Sequence, residues 1–125
     1  MPAAIDNAIT PRNAPQVKAR AVLEAANHPV TFEADKVLNE RGIIVLPDIL
    51  VNAGGVTASY FEWTQNLQEF RWEEDRVNAE LHKVMARAYR AVHERVVAQG
   101  INHRQAAFDI GVDRVAQAVN LRGFV

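Results

Sequence analysis

Two asparagines and one serine are the residues best placed to do chemistry. Asn27 sits in Ala25-Ala26-Asn27-His28-Pro29, and Asn52 opens Asn52-Ala53-Gly54-Gly55. Each side-chain amide both donates and accepts, which suits a carboxamide, a ribose or an amino acid. Gly54 and Gly55 have no Cβ, so a flat ligand could approach the backbone closely. If a helix starts near Asn52, then Asn52, Val56, Ser59 and Trp63 follow at spacings of 4, 3 and 4 and share one stripe. Ser59 then offers a hydroxyl about two turns in. It could hold the far end of a short ligand whose anionic part faces the helix N-terminus. This is recognition chemistry, with no nucleophile or base attached. Asn-Gly turns also serve as plain turns, and helical serines often face water, so spacing alone leaves both readings open.

Other groups offer less. His28, His82, His93 and His103 form no metal-ligand pattern, and His82 and His93, 11 apart on one predicted helix, are expected to be solvated. Glu62 and Glu69 read as an exposed helix face rather than an acid/base pair. The mixed charges from Arg71 to Arg76 read as a solvated turn and helix start. Phe61, Trp63 and Phe70 are expected in the core or against another subunit. No Ser/His/Asp spacing makes a triad. The glycine pair is not a G-x-G-x-x-G phosphate loop.

Composition narrows the class. With 49% hydrophobic and 23% charged residues, the 125-residue chain is expected to be one ordinary globular domain. A net charge of −1 gives no general attraction for nucleic acid or anionic membrane. The absence of cysteine removes disulfides, thiol catalysis and cysteine-bound metal, and it fits the cytoplasm. No signal peptide is visible at the start, and no apolar run approaches the roughly 20 residues that cross a bilayer.

These side chains need elements to position them. Residues 1–15 read as irregular. Val17 to Glu24 reads as a turn becoming a strand, with Ala21-Val22-Leu23 its buried part. Pro29 blocks continuation. Thr31 is a plausible N-cap, with Glu33 and Asp35 favourable in the first turn. This helix should run to Arg41 and stop at Gly42. Ile43-Ile44-Val45-Leu46 then reads as a strand covered on both faces. Strand, helix, strand is a βαβ unit with parallel neighbours. Ligands in such sheets bind beyond the strand carboxyl ends, where both asparagine turns fall. Val77, Leu81, Val84, Met85, Ala88, Val92 and Val96 form the apolar stripe of a helix of about five or six turns. Gly100 ends it. Asn102 with Gln105 predicts the start of a last helix from His103 to about Leu121, with Ala106, Ala107, Ile110 and Val119 among its apolar positions. Two strands alone leave unpaired edges, so the chain is expected to belong to something larger.

The segment PDILVNAGGVTASYFEWTQN at 47–66 closely resembles the signature of the glutamate dehydrogenases. PAAIDNAIT at 2–10, EAANHPVTFEAD at 24–35, ERGIIVLPD at 40–48 and VNAELHKVMARAY at 77–89 resemble consecutive pieces of the same cofactor-binding domain. The resemblance implies an α/β fold: a partial Rossmann-like unit, the second half of a doubly wound parallel sheet, followed by C-terminal helices. It implies oxidative deamination of L-glutamate to 2-oxoglutarate and ammonia with NAD or NADP. Asn27 would line the dinucleotide site near the nicotinamide ribose, and Asn52 would lie near the nicotinamide and substrate. Val56 and Ser59 would face the substrate, with Ser59 bonding its side-chain carboxylate. Related leucine, phenylalanine and valine dehydrogenases tend to carry an apolar residue at the Ser59 position, so a hydroxyl favours an acidic substrate.

The sequence departs from that pattern by omission. The glycine-rich fingerprint, the substrate-domain lysines and the catalytic Asp have no counterpart, and His28 stands where a smaller or less polar residue is usual. Residues 1–125 are therefore expected to be the C-terminal fragment of an NAD(P)-binding domain, without dehydrogenase activity alone. Self-association or binding to a full-length subunit is expected. A truncated, non-catalytic paralogue acting as a structural or interaction module is the alternative reading. Reassembly with a separately encoded or processed upstream portion is a third.

Overall fold

Thr31 sets the first helix. In the computed structural model, which describes residues 1–123, helix α1 spans Phe32–Glu40 and the Thr31 hydroxyl accepts from the Ala34 amide at 3.3 Å. The cap satisfies one of the orphan amides of the first turn. Arg41 closes the helix, and Gly42 reverses the chain with φ 71°, a left-handed value that costs glycine little. Strand β2, Ile44–Leu46, follows and pairs in parallel with β1, Ala21–Leu23. Ala21 lies opposite Ile44, Val22 opposite Val45 and Leu23 opposite Leu46.

The two-residue period of the strands divides their side chains between faces. Val22 and Val45 meet Ala34 and Leu38 of α1 in a core completed by Ala14, Val30 and Ile43. Leu38 is fully buried, which is worth about 2–3 kcal/mol in transfer free energy. The opposite face differs from expectation. Leu23 is 38% and Ile44 49% exposed, so β2 is covered on one face only. One helix cannot shield both sides of a two-stranded ribbon. The N-terminal segment is more ordered than its prolines suggest. Ile9 forms a parallel bridge with Val30, and a 3-10 turn spans Ala14–Gln16.

All described residues beyond β2 that form regular structure are helical. The short helix α2, Asp48–Val51, is additional to the elements expected from the sequence. Helix α3 runs over Ala53–Gln68 and α4 over Glu74–Gln99. At 26 residues α4 exceeds seven turns, longer than its apolar stripe suggested. Gly100 ends it with φ 66°. Asn102 Oδ1 then accepts from the Gln105 amide at 2.8 Å and caps α5, His103–Arg122. A second cluster forms where α2, α4 and α5 meet, from Leu50, Val92, Ala106 and Ala107. The two alanines let α5 approach its neighbours closely. Val119, expected on that packed face, is instead 42% exposed, because α5 has run past the body it packs on.

Candidate functional site

Both asparagine turns emerge beyond the carboxyl ends of β1 and β2, and they touch. Asn52 Nδ2 donates to Asn27 Oδ1 at 2.7 Å. Asn52 stands at the boundary between α2 and α3 and makes no side-chain capping bond to α3. The Asn27 side-chain NH2 and the Asn52 Oδ1 have no protein partner among the described residues. Val56 is 71% exposed and Ser59 is also exposed, both on the helix that Asn52 begins. The structure thus brings Asn27 and Asn52 together, while Val56 and Ser59 lie four and seven residues beyond Asn52 on α3.

Other groups fix the asparagine pair in place. Glu24 directly follows β1 and is fully buried. Its Oε2 accepts from the Asp48 amide at 2.9 Å, and its Oε1 accepts from Arg104 Nη2 at 2.6 Å. Asp48 Oδ2 in turn accepts from the His28 amide at 2.7 Å. His28 has φ 46°, unusual for a residue with a Cβ. The loop bearing Asn27 and the start of α2 are therefore held by carboxylates. Arg104 also lies 3.2 Å, Nε to Oδ1, from the buried Asp35 carboxylate, in contact but without hydrogen-bond alignment. Asp35 accepts a bond from Asn39 instead, at 3.0 Å. Burial disfavours the Arg104 charge, but the Glu24 hydrogen bond and the two carboxylate charges outweigh it and raise its pKa. A buried pair of this kind costs stability when either partner is removed.

Glu24, Asp48 and Arg104 did not stand out in the sequence. Their signals were weak but present. A carboxylate follows an apolar strand at Leu23-Glu24, and Arg104 precedes the buried Ala107 by three on the same helix face.

The remaining groups sort differently from expectation. Phe61 is buried against Trp72, with ring centroids 5.5 Å apart, as expected of a core aromatic. Trp63 and Phe70 are 56% and 60% exposed and contribute nothing to the core. Arg76 stacks over Trp72 at 4.2 Å, within the charged run that does prove to be a turn and helix start. His82 and His93 are both exposed, as expected, and His93 also has ring neighbours. It stacks between Tyr89 at 5.8 Å and His103 at 6.1 Å. Partial burial, with a smaller contribution from His93, lowers the pKa of His103. No group of three metal-ligating side chains occurs among the described residues. No helix among them is long and apolar enough to cross a membrane.

Parallel strands with polar turns at their carboxyl ends, flanked by helices, are the layout of an open α/β ligand-binding domain. The profile of the glutamate/leucine/phenylalanine/valine dehydrogenases matches residues 1–123, and the chain belongs to that family. It is 50% identical over 123 residues to a glutamate dehydrogenase of Thermotoga maritima. It is 45% identical over 125 residues to the cryptic catabolic NAD-specific glutamate dehydrogenase GudB of Bacillus subtilis. These alignments take in 98% and 100% of this chain but only 30% and 29% of the relatives, so it spans less than a third of their length. A solved hetero-hexameric glutamate dehydrogenase of Thermus thermophilus in its leucine-bound form superposes with a TM-score of 0.94 at 36% identity, over 98% of this chain and 30% of that one.

Proposed function

We propose that the chain forms one wall of a glutamate dehydrogenase active site, serving oxidative deamination of L-glutamate to 2-oxoglutarate and ammonia with NAD or NADP. The observation that carries this reading is the 2.7 Å bond between Asn27 and Asn52, which joins two polar turns at the strand ends beside an exposed Val56 and Ser59. A dinucleotide fits this wall at its nicotinamide end. The free donors of Asn27 and the free acceptor of Asn52 match a ribose and a carboxamide. When bound, the nicotinamide supplies a hydride acceptor. Asn27 faces the ribose, Asn52 the carboxamide and substrate, and Val56 packs against the substrate. Ser59 donates to the side-chain carboxylate, which selects an acidic amino acid. The pyrophosphate and the substrate amine need groups that these residues do not include. The compartment we assign is the cytoplasm.

The purified 125-residue chain is expected to show no glutamate-dependent reduction of NAD or NADP, and a measurable rate would sink that part of the reading. A chimaera of the Thermotoga maritima enzyme carrying residues 1–123 in place of its own segment is expected to oxidise L-glutamate. Ser59→Ala in that chimaera should lower kcat/KM by about tenfold, the loss of one donor to a charged group. A folded chimaera indifferent to Ser59 removes the substrate assignment.

A second reading draws on the exposed apolar residues Leu23, Ile44, Phe108, Val112 and Val115. They favour a structural or interaction module that associates with itself or with a full-length subunit. Sedimentation should then show self-association at micromolar concentration, and a stable monomer counts against it.

A further inference from the structure

We propose that Arg104 is a positioning residue for the Asn27–Asn52 wall, acting from outside the crevice through Glu24 and Asp48. The inference deepens the function proposed above and rests on it for the identity of the ligand, though not for the geometry. Arg104 lies in the first turn of α5, 80 residues from Glu24 in sequence. It touches none of Asn27, Asn52, Val56 or Ser59. Its path to them consists of four short contacts. The guanidinium donates to Glu24 Oε1 at 2.6 Å, and the other oxygen of the same carboxylate receives the Asp48 amide at 2.9 Å. The Asp48 carboxylate receives the His28 amide at 2.7 Å, and the neighbouring Asn27 meets Asn52 at 2.7 Å.

Each step is directional. Glu24 has two oxygens and spends one on each side, so the carboxylate plane is set by Arg104 and Asp48 together. Asp48 follows the buried Pro47 and begins α2. Its carboxylate also receives the Ile49 amide at 2.7 Å, which fixes its rotation. The His28 amide is thus held in a backbone conformation, φ 46°, that the chain would otherwise rarely adopt. Without the guanidinium, Glu24 is a buried carboxylate with one acceptor oxygen unmet. It must then draw in water, take up a proton or turn away from Asp48. Any of these loosens the grip on the Asn27 loop. Asp35 keeps the guanidinium from swinging out when Glu24 is altered, at 3.2 Å on its other side.

Backbone amide exchange read by NMR on the chain itself tests the path without a ligand. In Arg104→Gln the His28 and Asp48 amides should lose about tenfold or more of their protection, the loss of one hydrogen bond to a charged group. Amides inside α1 should stay as they were. Arg104→Lys, which keeps the charge, should restore part of the protection, and Glu24→Gln should reproduce the loss. If both amides are unchanged in Arg104→Gln and Glu24→Gln, the proposal is overturned. If Arg104→Gln loosens every element equally, the decision passes to Arg104→Lys. A folded Arg104→Lys chain with wild-type exchange at both amides then overturns it, and selective partial loss supports it. In the active chimaera, Arg104→Gln should raise KM for dinucleotide or glutamate about tenfold with a smaller change in kcat, a split that a purely structural role would not give. Loss of protection at His28 and Asp48 in a chain whose chimaera never oxidises glutamate would retain the positioning role and discard the functional reading.

Discussion

The core beneath α1 and the exposed face of α5 are built from similar side chains and sit in opposite surroundings. Val22, Val30, Leu38, Ile43 and Val45 are each no more than 6% exposed, whereas Phe108, Val112 and Val115 are each at least 49% exposed. The first group encloses itself between a helix and one face of a parallel pair. The second lies along one helix at spacings of four and three, an apolar stripe left largely exposed by the described residues. The difference shows which part of the fold encloses its own apolar side chains. The α/β half carries its own apolar core but takes the cation for its buried Glu24 and Asp35 from Arg104 at the start of α5, and α5 keeps an exposed apolar face.

Substitutions can break that contrast or sharpen it. Leu38→Ala should cost about 2–5 kcal/mol, read as a lowered midpoint in denaturant unfolding, because a fully buried side chain leaves a cavity. A loss under 1 kcal/mol would mean the first core is looser than its burial shows. Asn102→Ala should cost about 1 kcal/mol by removing the 2.8 Å cap of α5. That loss should appear as fraying of the first turn of α5 in amide exchange, with α1 unaffected.

Acidification should act more weakly and on the α4–α5 side. His103 has its pKa lowered in the folded chain by burial and then by His93. The unfolded chain therefore binds more protons near the ordinary histidine pKa of about 6.5. This contribution to stability is complete above that value and is lost as pH falls through the lower folded one. His103→Gln should flatten the unfolding midpoint between pH 7 and pH 5, and an unchanged slope would remove His103 as the cause. Smallest of all, Val115→Ala should shift the midpoint by less than about 0.5 kcal/mol, since the residue is 65% exposed. A loss comparable with that of Leu38→Ala would erase the contrast.

Local signals in the sequence translated well. Thr31, Gly42, Gly100 and Asn102 each act within a few residues of themselves, and each ends or starts a helix where its chemistry requires. The meeting of Asn27 with Asn52 was also legible, because parallel strands put their carboxyl ends side by side. Helix α2 was not, since four residues are too few to show a 3.6-residue period. The Glu24–Arg104 pair was illegible for a different reason. Nothing local links a carboxylate after a strand to a guanidinium in the last helix, and a charge within an apolar pattern looks the same whether paired or solvated. The openness of Leu23 and Ile44 escaped too, because an apolar run states what a strand can bury and not what is present to bury it.

The distance along the chain between Glu24 and Arg104 also orders events in time. A ribosome releases the strands, the α1 core and both asparagine turns well before the last fifth of the chain has been made. Until Arg104 emerges and α5 winds onto α4, Glu24 lacks its cation and the two turns lack their final setting. The contact between Asn27 and Asn52 is thus made from residues in the first half of the chain, while the cation of its buried carboxylate support comes from the last helix.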